Sequence, residues 1–204
     1  MIILRNNYVF SRCDIIFNIK NIAYAFSKGF NKKLNNLAHH NLFFDTDFNL
    51  HSKEIYKDPK WPSEPLFYAN FTSITNEHTA PKGCENGFIL IPLAPGLKDT
   101  QELRDKYFDI VMDRIESITD QKIKESIIYK KSFCVSDFID EYNSYKGNAY
   151  GLANTLLQTS FLRPKLKSKL VKNMYFTGQL SVPGPGVPPA IVSGKLVADL
   201  INNK

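Results

Sequence analysis

Residues 174–202, with the sequence MYFTGQLSVPGPGVPPAIVSGKLVADLIN, carry the most informative pattern in the chain. An apolar run at residues 173–177 predicts a strand, and a loop with three glycines follows it. Pro188 and Pro189 then mark the start of a helix, because the amide that proline lacks has no partner in the first helical turn. The order of these parts predicts a strand, a glycine-rich loop and a C-terminal helix.

The start of this helix has the features of a binding position for an anion or an electron-rich ring. A helix N-terminus presents unpaired backbone amides and about half a positive charge. Glycines before it let a ligand approach the backbone closely. Four small residues would allow the helix to pack tightly against a sheet or a cofactor: Ala190, Ser193, Gly194 and Ala198. A βα connection without a ligand has the same order of parts, so both interpretations stay open.

The full pattern resembles a known motif. It is similar to the C-terminal flavin motif of the phytoene desaturase family, the FAD-dependent, amine-oxidase-like carotenoid desaturases. The motif has the usual form G-x-x-T/V-x-P-G-x-G-x-P-x-x-x-x-S-G/A-K. The matching residues are Gly178-Gln179, Val182-Pro183-Gly184, Gly186-Val187-Pro188 and Ser193-Gly194-Lys195. The resemblance covers residues 32–202, where further segments occur in the family's order: His39–Phe44, Trp61-Pro62, Leu66–Tyr68, Ala80-Pro81, Ile91-Pro92, Tyr145–Leu152 and Gln158–Pro164.

The resemblance implies a flavoprotein oxidoreductase of carotenoid biosynthesis that acts on CH–CH groups, as a phytoene dehydrogenase does. FAD would be the cofactor and a long hydrophobic, phytoene-like carotenoid the substrate. Isomerisation and the desaturation of hydroxylated carotenoids also occur in the family, and the loop residues do not separate these reactions. No catalytic side chain and no metal ligand is assigned. The residues implied to bind FAD are Gly178, Gln179, Pro183, Gly184, Gly186, Val187 and Pro188.

The implied fold is mixed α/β, as the C-terminal part of a two-domain FAD-dependent oxidoreductase. Residues 32–144 would form a substrate-domain segment with a β-sheet and helices, residues 145–204 would close the FAD domain, and residues 1–31 remain unassigned. No G-x-G-x-x-G turn precedes Gly178, so the N-terminal dinucleotide-binding half is expected to be missing. Activity of the chain alone is then in doubt. The alternative is a non-catalytic gene fragment, or a subunit that completes a separately encoded nucleotide-binding half.

Apolar spacing predicts the remaining elements. Residues 66–74 and 87–93 are β-branched and aromatic runs that predict a strand pair, either as protein core or as walls for the substrate. Apolar residues at steps of three and four after Asp99 or Thr100 predict a long helix. We further expect a strand at residues 42–45, a helix capped by Ser52 and running to Tyr56, a strand at residues 125–133 and a helix from Ser136.

Charge is uneven along the chain. Residues 1–120 carry 14 basic and 15 acidic side chains, whereas residues 121–204 carry 12 and 5. This asymmetry indicates either an anionic partner or a Lys, Asn and Ile bias that reflects the base composition of the gene. Aromatic and basic residues do not alternate on a periodic surface, so we expect no nucleic-acid partner. The basic side chains of Arg163, Lys165, Lys167 and Lys169 favour a solvated loop over contact with a lipid headgroup or a cofactor phosphate.

Cysteine and histidine placement excludes some further classes of protein. Cys13, Cys84 and Cys134 are far apart, so we expect neither a disulfide framework nor a zinc site. His39 and His40 are adjacent, and neighbours in a strand point to opposite faces, so we expect no shared metal.

Hydropathy and charge also bear on location. The longest uncharged apolar stretch, residues 87–95, is far shorter than the about 20 residues that cross a bilayer. No signal-peptide pattern is present either. We expect a cytoplasmic location, with peripheral membrane contact because the implied substrate is oily.

Overall fold

The computed structural model describes residues 22–152, 158 and 162–202. They divide into two compact units. The sheet unit, Ile22–Gly147, contains a five-stranded antiparallel sheet and three α-helices, and the C-terminal unit comprises the described residues from Asn148 onward and contains one α-helix. The expected mixed α/β fold class is confirmed. In the described residues, no helix combines the length and the apolar character that crossing a bilayer requires.

The sheet has the strand order β2-β3-β4-β1-β5, and every neighbouring pair is antiparallel. Its strands are β1 (Ile22–Phe30), β2 (His40–Phe43), β3 (Phe67–Asn70), β4 (Glu85–Leu93) and β5 (Ile127–Phe133). The predicted pairing of β3 with β4 and the predicted strands β2 and β5 are confirmed. The prediction of a strand over residues 66–74 is wrong in extent, because Thr72–Ile74 form a 3-10 helix. The interior strand β1 lies in the segment that the sequence pattern left unassigned.

Side chains alternate across the sheet, and one face forms the core. On this inner face, aromatic and aliphatic residues of β1, β3 and β4 are fully buried. Helix α2 (Gln101–Thr119) packs against them, with Val111, Met112 and Ile115 completely buried and Phe108 in edge contact with Phe26. Thr100 caps α2 as predicted, because its hydroxyl oxygen accepts a hydrogen bond from the Leu103 amide.

The opposite side of the sheet, termed here the outer face, carries one apolar row beside a more polar one. Cross-strand pairing aligns one side chain from each strand in a continuous row: Leu42, Tyr68, Leu90, Ala25 and Phe133. Leu42 is 66% exposed, whereas Tyr68 and Leu90 are half-buried. Helix α3 (Val135–Tyr142) borders the row at β5, where Phe133 contacts Phe138 in an edge-on arrangement.

Two helix starts differ from the prediction. Helix α1 (Phe48–Tyr56) is capped by Asp47, whose carboxylate accepts from the Asn49 amide, so Ser52 lies inside the helix and the prediction of a Ser52 cap is wrong. Asp47 is as favourable a capping residue as Ser52 and lies five residues earlier, so the helix begins there. Helix α3 starts one residue before Ser136, and the Asp137 carboxylate accepts from the Cys134 amide.

The C-terminal unit contains α4 (Val187–Asn202), which starts within one residue of the predicted prolines. The predicted strand at residues 173–177 is wrong in extent. Only an isolated antiparallel bridge joins Tyr175 to Lys167, flanked by hydrogen bonds from the Ser168 amide to the Met174 carbonyl and from the Phe176 amide to the Leu166 carbonyl. Within the described residues, residues 173–177 pair only with the segment around Lys167, and the pairing does not extend into a regular strand.

Candidate functional site

The glycine-rich loop before α4 adopts backbone conformations that few other residues tolerate. Gly178, Gly184 and Gly186 have φ angles of 108°, 139° and 109°. A Cβ atom at Gly178 would meet no atom within 4 Å, so the backbone there borders open space. At Gly184, by contrast, a Cβ atom would lie 3.2 Å from Nε of Arg163. The loop therefore exposes backbone at one end and is supported by a buried side chain in the middle.

The start of α4 offers fewer amides than a typical helix. Pro188 and Pro189 have no N–H, and the Ala190 amide already donates to the Gly186 carbonyl at 3.0 Å. The Gly186 and Val187 amides remain, and neither has a hydrogen-bond partner within the described part of the chain. Val187 is 74% exposed and Pro188 is exposed, so no described side chain covers this position. Two amides and the helix dipole can face a ligand here.

Ser193 joins the start of the loop to α4. Its side chain is completely buried, and its hydroxyl oxygen accepts from the Gly178 amide at 2.8 Å. The Ser193 hydroxyl lies 2.7 Å from the Thr177 hydroxyl and donates to the Ala190 carbonyl at 2.6 Å. Gly194 follows it, and a Cβ atom there would make only an ordinary contact of 3.7 Å with Thr177. Ser193 thus fixes the position of Gly178 against the helix.

Replacing Ser193 with alanine is expected to lower the free energy of unfolding by about 1–3 kcal/mol, because the Gly178 amide loses its buried acceptor. Hydrogen exchange should show loss of protection at the Gly178 amide before other amides of the unit are affected. Lys195→Ala is the matched control on the same helix, since the Lys195–Asp199 pair is exposed. Unchanged protection of Gly178 in Ser193→Ala would contradict this role of the serine.

Arg163 packs against the glycine-rich loop. The sequence did not predict this contact. The residue is 3% exposed, so the expectation of a solvated side chain is wrong for Arg163. It donates to the Gln179 carbonyl at 3.2 Å and lies against Gly184, and its burial lowers the pKa of the guanidinium. A guanidinium can reach two parts of a loop at once because it is a planar fork of donors.

The seven residues predicted to bind FAD all lie in this loop or at the start of α4. Gln179 contributes its backbone carbonyl to Arg163, while Pro183 is exposed and Gly184 is buried. The segment 158–161 cited for the resemblance lies outside the described residues, except for Gln158.

The two adjacent histidines belong to the sheet unit. Their rings lie 4.2 Å apart, so the expectation that they point to opposite faces is wrong. His39 precedes β2 in a bend, where strand alternation does not apply. Its Nδ1 pairs with the Thr75 hydroxyl at 2.5 Å, whereas Nδ1 of His40 pairs with the Tyr68 hydroxyl at 2.7 Å. No cluster of three metal-ligating side chains occurs in the part of the chain that the structure describes.

The sequence left open whether β3 and β4 form protein core or line a substrate site. In the structure, the side chains on the two faces of these strands differ in burial. The inner-face residues Phe67, Ile89 and Ile91 are buried and make up the core. The outer-face residues Tyr68 and Leu90 are half-buried. Sequence alternation alone did not separate the two sets, because Tyr68 and Leu90 on the outer face are as apolar as their neighbours on the inner face.

The chain is similar to known proteins over most of its length. No protein-family model matches the chain. Among curated proteins, a carotenoid 3,4-desaturase of Haloarcula japonica is 42% identical over 165 residues, which is 81% of this chain and 33% of the relative. The chain belongs to the carotenoid desaturase family.

Two further relatives agree with this assignment. A 4,4'-diapophytoene desaturase (4,4'-diaponeurosporene-forming) of Staphylococcus haemolyticus is 32% identical over 185 residues, covering 87% of this chain and 36% of the relative. A 4,4'-diaponeurosporene oxygenase of Staphylococcus aureus is 34% identical over 170 residues, covering 81% of this chain and 34% of the relative. The carotenoid desaturase-family chain thus spans about a third of the length of these curated relatives.

Proposed function

We propose that this carotenoid desaturase-family chain supplies part of the flavin contact and part of the substrate contact of an FAD-dependent enzyme that dehydrogenates a long polyene. The observation that carries the proposal is the exposed start of α4, with glycines of positive φ before it and two amides that have no partner among the described residues. The names of the relatives support a carotenoid as the substrate class.

The residues at the start of α4 fit a flat, electron-accepting ring. A Cβ atom at Gly178 would enter open space, so a ligand can lie directly on that backbone. The Gly186 and Val187 amides, with the positive end of the helix dipole, would stabilise negative charge that develops on a ring beside them. When bound, FAD would accept the equivalent of a hydride from the substrate. Arg163 and Ser193 would hold the loop in the geometry that this contact needs.

The outer face of the sheet fits an uncharged, elongated substrate. Its row of five apolar side chains crosses every strand, and a soluble antiparallel sheet normally has polar residues on its second face. An apolar patch of this kind marks a surface that contacts a ligand or another protein surface. A polyene bound along the row would remove from water both its own apolar surface and that of the five side chains. This burial stabilises binding without any charged group.

The substitution Val187→Asp tests the cofactor contact. Val187 is 74% exposed, and a carboxylate in the first turn favours the helix, so the free energy of unfolding should stay the same or rise. Beside a flavin ring the same carboxylate would repel developing negative charge and block the approach. We expect FAD to bind the original chain saturably and the variant at least about tenfold more weakly, measured by quenching of flavin fluorescence.

Val192→Asp is the matched control, because Val192 lies five residues further along α4 and is 46% exposed. It should leave FAD affinity within about twofold. Equal affinity of the original chain and Val187→Asp, or no saturable FAD binding by the original chain, would reject the cofactor contact proposed here.

A second candidate function is that of a non-catalytic subunit that completes a separately encoded nucleotide-binding half. The apolar surface of α4 favours it: Val187, Ile191, Val192, Leu196, Leu200 and Ile201 are all at least 38% exposed. A helix that is apolar on most sides is usually covered. If the chain gains no visible flavin absorbance after incubation with FAD, this second candidate is favoured over the first.

A further inference from the structure

Three polar groups lie together at one end of the apolar row on the outer face of the sheet. They belong to His40 on β2 and to Tyr68 and Asn70 on β3, and these three residues are termed here the polar cluster. His40 is paired directly with Asn70 across the two strands. The ring of Tyr68 is part of the apolar row, whereas its hydroxyl lies in the polar cluster. The apolar row therefore ends beside groups that form hydrogen bonds.

The hydrogen bonds of the polar cluster determine which nitrogen of His40 carries the proton. The Tyr68 hydroxyl lies 2.7 Å from Nδ1 of His40, and Nδ2 of Asn70 lies 2.9 Å from the Tyr68 oxygen and 3.0 Å from the same Nδ1. An amide nitrogen can only donate, so the Tyr68 oxygen accepts from Asn70 and its own hydrogen points to Nδ1. Since Nδ1 is the acceptor, neutral His40 carries its N–H proton on Nε2.

This N–H group of His40 is fixed in place and available to a ligand. Nε2 has no hydrogen-bond partner among the described residues, and the side chain is exposed. The ring is held by Tyr68 on one side, and the ring of His39 packs 4.2 Å away, itself held by the Thr75 hydroxyl. A donor whose orientation is already fixed loses little side-chain entropy when it binds an acceptor.

The chemistry of the polar cluster matches an uncharged oxygen atom. Within the described part of the chain, no lysine or arginine forms a hydrogen bond or ion pair with His40, Tyr68 or Asn70, so no fixed positive charge favours a carboxylate or a phosphate. A metal ion would need an unprotonated Nε2, which the hydrogen bonds at Nδ1 disfavour. A hydroxyl or carbonyl oxygen needs only the single N–H donor that His40 offers.

We propose that the Nε2–H group of His40 donates a hydrogen bond to a neutral oxygen at one end of the polyene, with Tyr68 and Asn70 as positioning residues. The chain then selects a polyene with a terminal hydroxyl or carbonyl group over the corresponding hydrocarbon. A hydrocarbon end would displace water from Nε2–H and leave this donor unpaired, which is the physical source of the selection. This inference rests on the proposed contact of the substrate with the outer face.

Binding of two polyenes that differ by one hydroxyl group tests the inference. The probes are lycopene, an acyclic hydrocarbon, and its derivative with a single hydroxyl group at one end. Each is supplied in detergent micelles to the full chain immobilised on a resin, and the retained polyene is measured by its visible absorbance over a concentration series. The hydroxylated probe should bind about three- to tenfold more tightly, as expected for one net hydrogen bond.

Substitutions in the polar cluster separate a role in selection from a structural role. His40→Phe keeps an aromatic ring without a donor and should bind the two probes equally, whereas His40→Gln keeps a neutral N–H donor and should retain part of the preference. Tyr68→Phe keeps the ring in the apolar row and should reduce the preference while leaving lycopene affinity within about twofold. His78→Phe is the matched control, because it changes another exposed histidine outside the sheet strands, and it should keep the full preference.

The possible outcomes distinguish this inference from the proposed function. Equal affinity of the original chain for the two probes, or an undiminished preference in His40→Phe, would overturn the inference and leave the substrate contact in place. Saturable binding of neither probe would reject the substrate contact and the inference together.

Leu90→Asp tests whether the probes bind on the outer face, because it places a charge in the middle of the apolar row. It should weaken both probes alike, by about tenfold or more. Undiminished binding of both would reject the outer face as the substrate contact, and the inference with it. Circular dichroism and the unfolding midpoint of each variant check that folding is retained.

Discussion

Lys28→Met is expected to raise the free energy of unfolding by a few kcal/mol near neutral pH. Lys28 lies on the inner face of β1, 2% exposed, and its Nζ has no hydrogen-bond partner among the described residues. The ammonium lies 2.9 Å from the centre of the Phe108 ring and 5.0 Å from that of Phe26. A methionine of similar length would fill the same space without a buried charge.

The gain from Lys28→Met depends on pH with a definite sign. Burial, reinforced by repulsion from Lys130, lowers the pKa of Lys28 from 10.5 to about 7, and attraction from Asp109 and Asp105 only partly opposes this. Between these two pH values the unfolded chain binds more protons than the folded one, so the stability of the original chain rises with pH. Each pH unit of this window corresponds to about 1.4 kcal/mol.

Urea unfolding of both chains from pH 7 to pH 10 measures this effect. The advantage of Lys28→Met should be largest at pH 7 and shrink as pH rises toward 10.5, above which the lysine becomes neutral in the unfolded chain as well. Lys131→Met, at an exposed position on β5, is the control and should change the stability by less than about 0.5 kcal/mol at every pH. A constant difference between Lys28→Met and the original chain across this range would contradict the buried-charge explanation.

The same lysine shows why part of the fold was not predictable from the sequence. Strand β1 has core side chains at every second position, Tyr24, Phe26, Lys28 and Phe30, but a lysine in that series breaks the apolar alternation on which strand prediction rests. The position of β1 between β4 and β5 depends on pairing with residues that are about 65 and about 105 positions later in the sequence. Helix α2 and the pair of β3 with β4 were predictable because their periodicity and their turn residues are local.

The candidate site also combines features that the sequence predicts with features that it does not. The loop glycines and the prolines of α4 are a local pattern, so the positions of the loop and of the helix start could be predicted. The role of Arg163 was not predictable, because it depends on a contact with Gly184 across 21 residues and on burial that a basic residue next to three lysines does not suggest. Pro188 and Pro189 in the sequence already indicate that few free amides remain at the start of α4. The Ala190 amide is also occupied, by the Gly186 carbonyl, and this hydrogen bond depends on the folded backbone.

Arg104 is the centre of a buried network that joins α2, β5 and α3. Its Nε and a terminal nitrogen hold both carboxylate oxygens of Asp99, at 2.8 and 2.5 Å. The same terminal nitrogen lies 2.7 Å from Asp137 and donates to the Ser136 hydroxyl at 2.8 Å. Burial alone would raise the pKa of Asp99, but the hydrogen bonds from Arg104 and Ser136 outweigh it and lower the pKa. Asp99 depends on this guanidinium to remain charged in its buried position.

Arg104→Met is expected to lower the free energy of unfolding by about 3–5 kcal/mol at pH 7, because Asp99 is left buried without its counter-ion. In the original chain the lowered pKa of Asp99 contributes stability above its unfolded pKa of 3.8, and this is lost as pH falls. In the variant the charged carboxylate is destabilising, so protonation relieves it. The difference between the two chains should therefore narrow steadily below about pH 5.

Urea unfolding midpoints across pH 3–7 measure both parts of this expectation. Arg104→Lys keeps the charge but loses the two-pronged contact, so it should lose less stability than Arg104→Met. Asp99→Asn combined with Arg104→Met should recover part of the loss, since it removes the buried charge itself. If the double variant is as unstable as the sum of its single variants, the two side chains do not interact. The junction of α2 with α3 would then be held by packing around Val135 and Cys134 rather than by the ion pair.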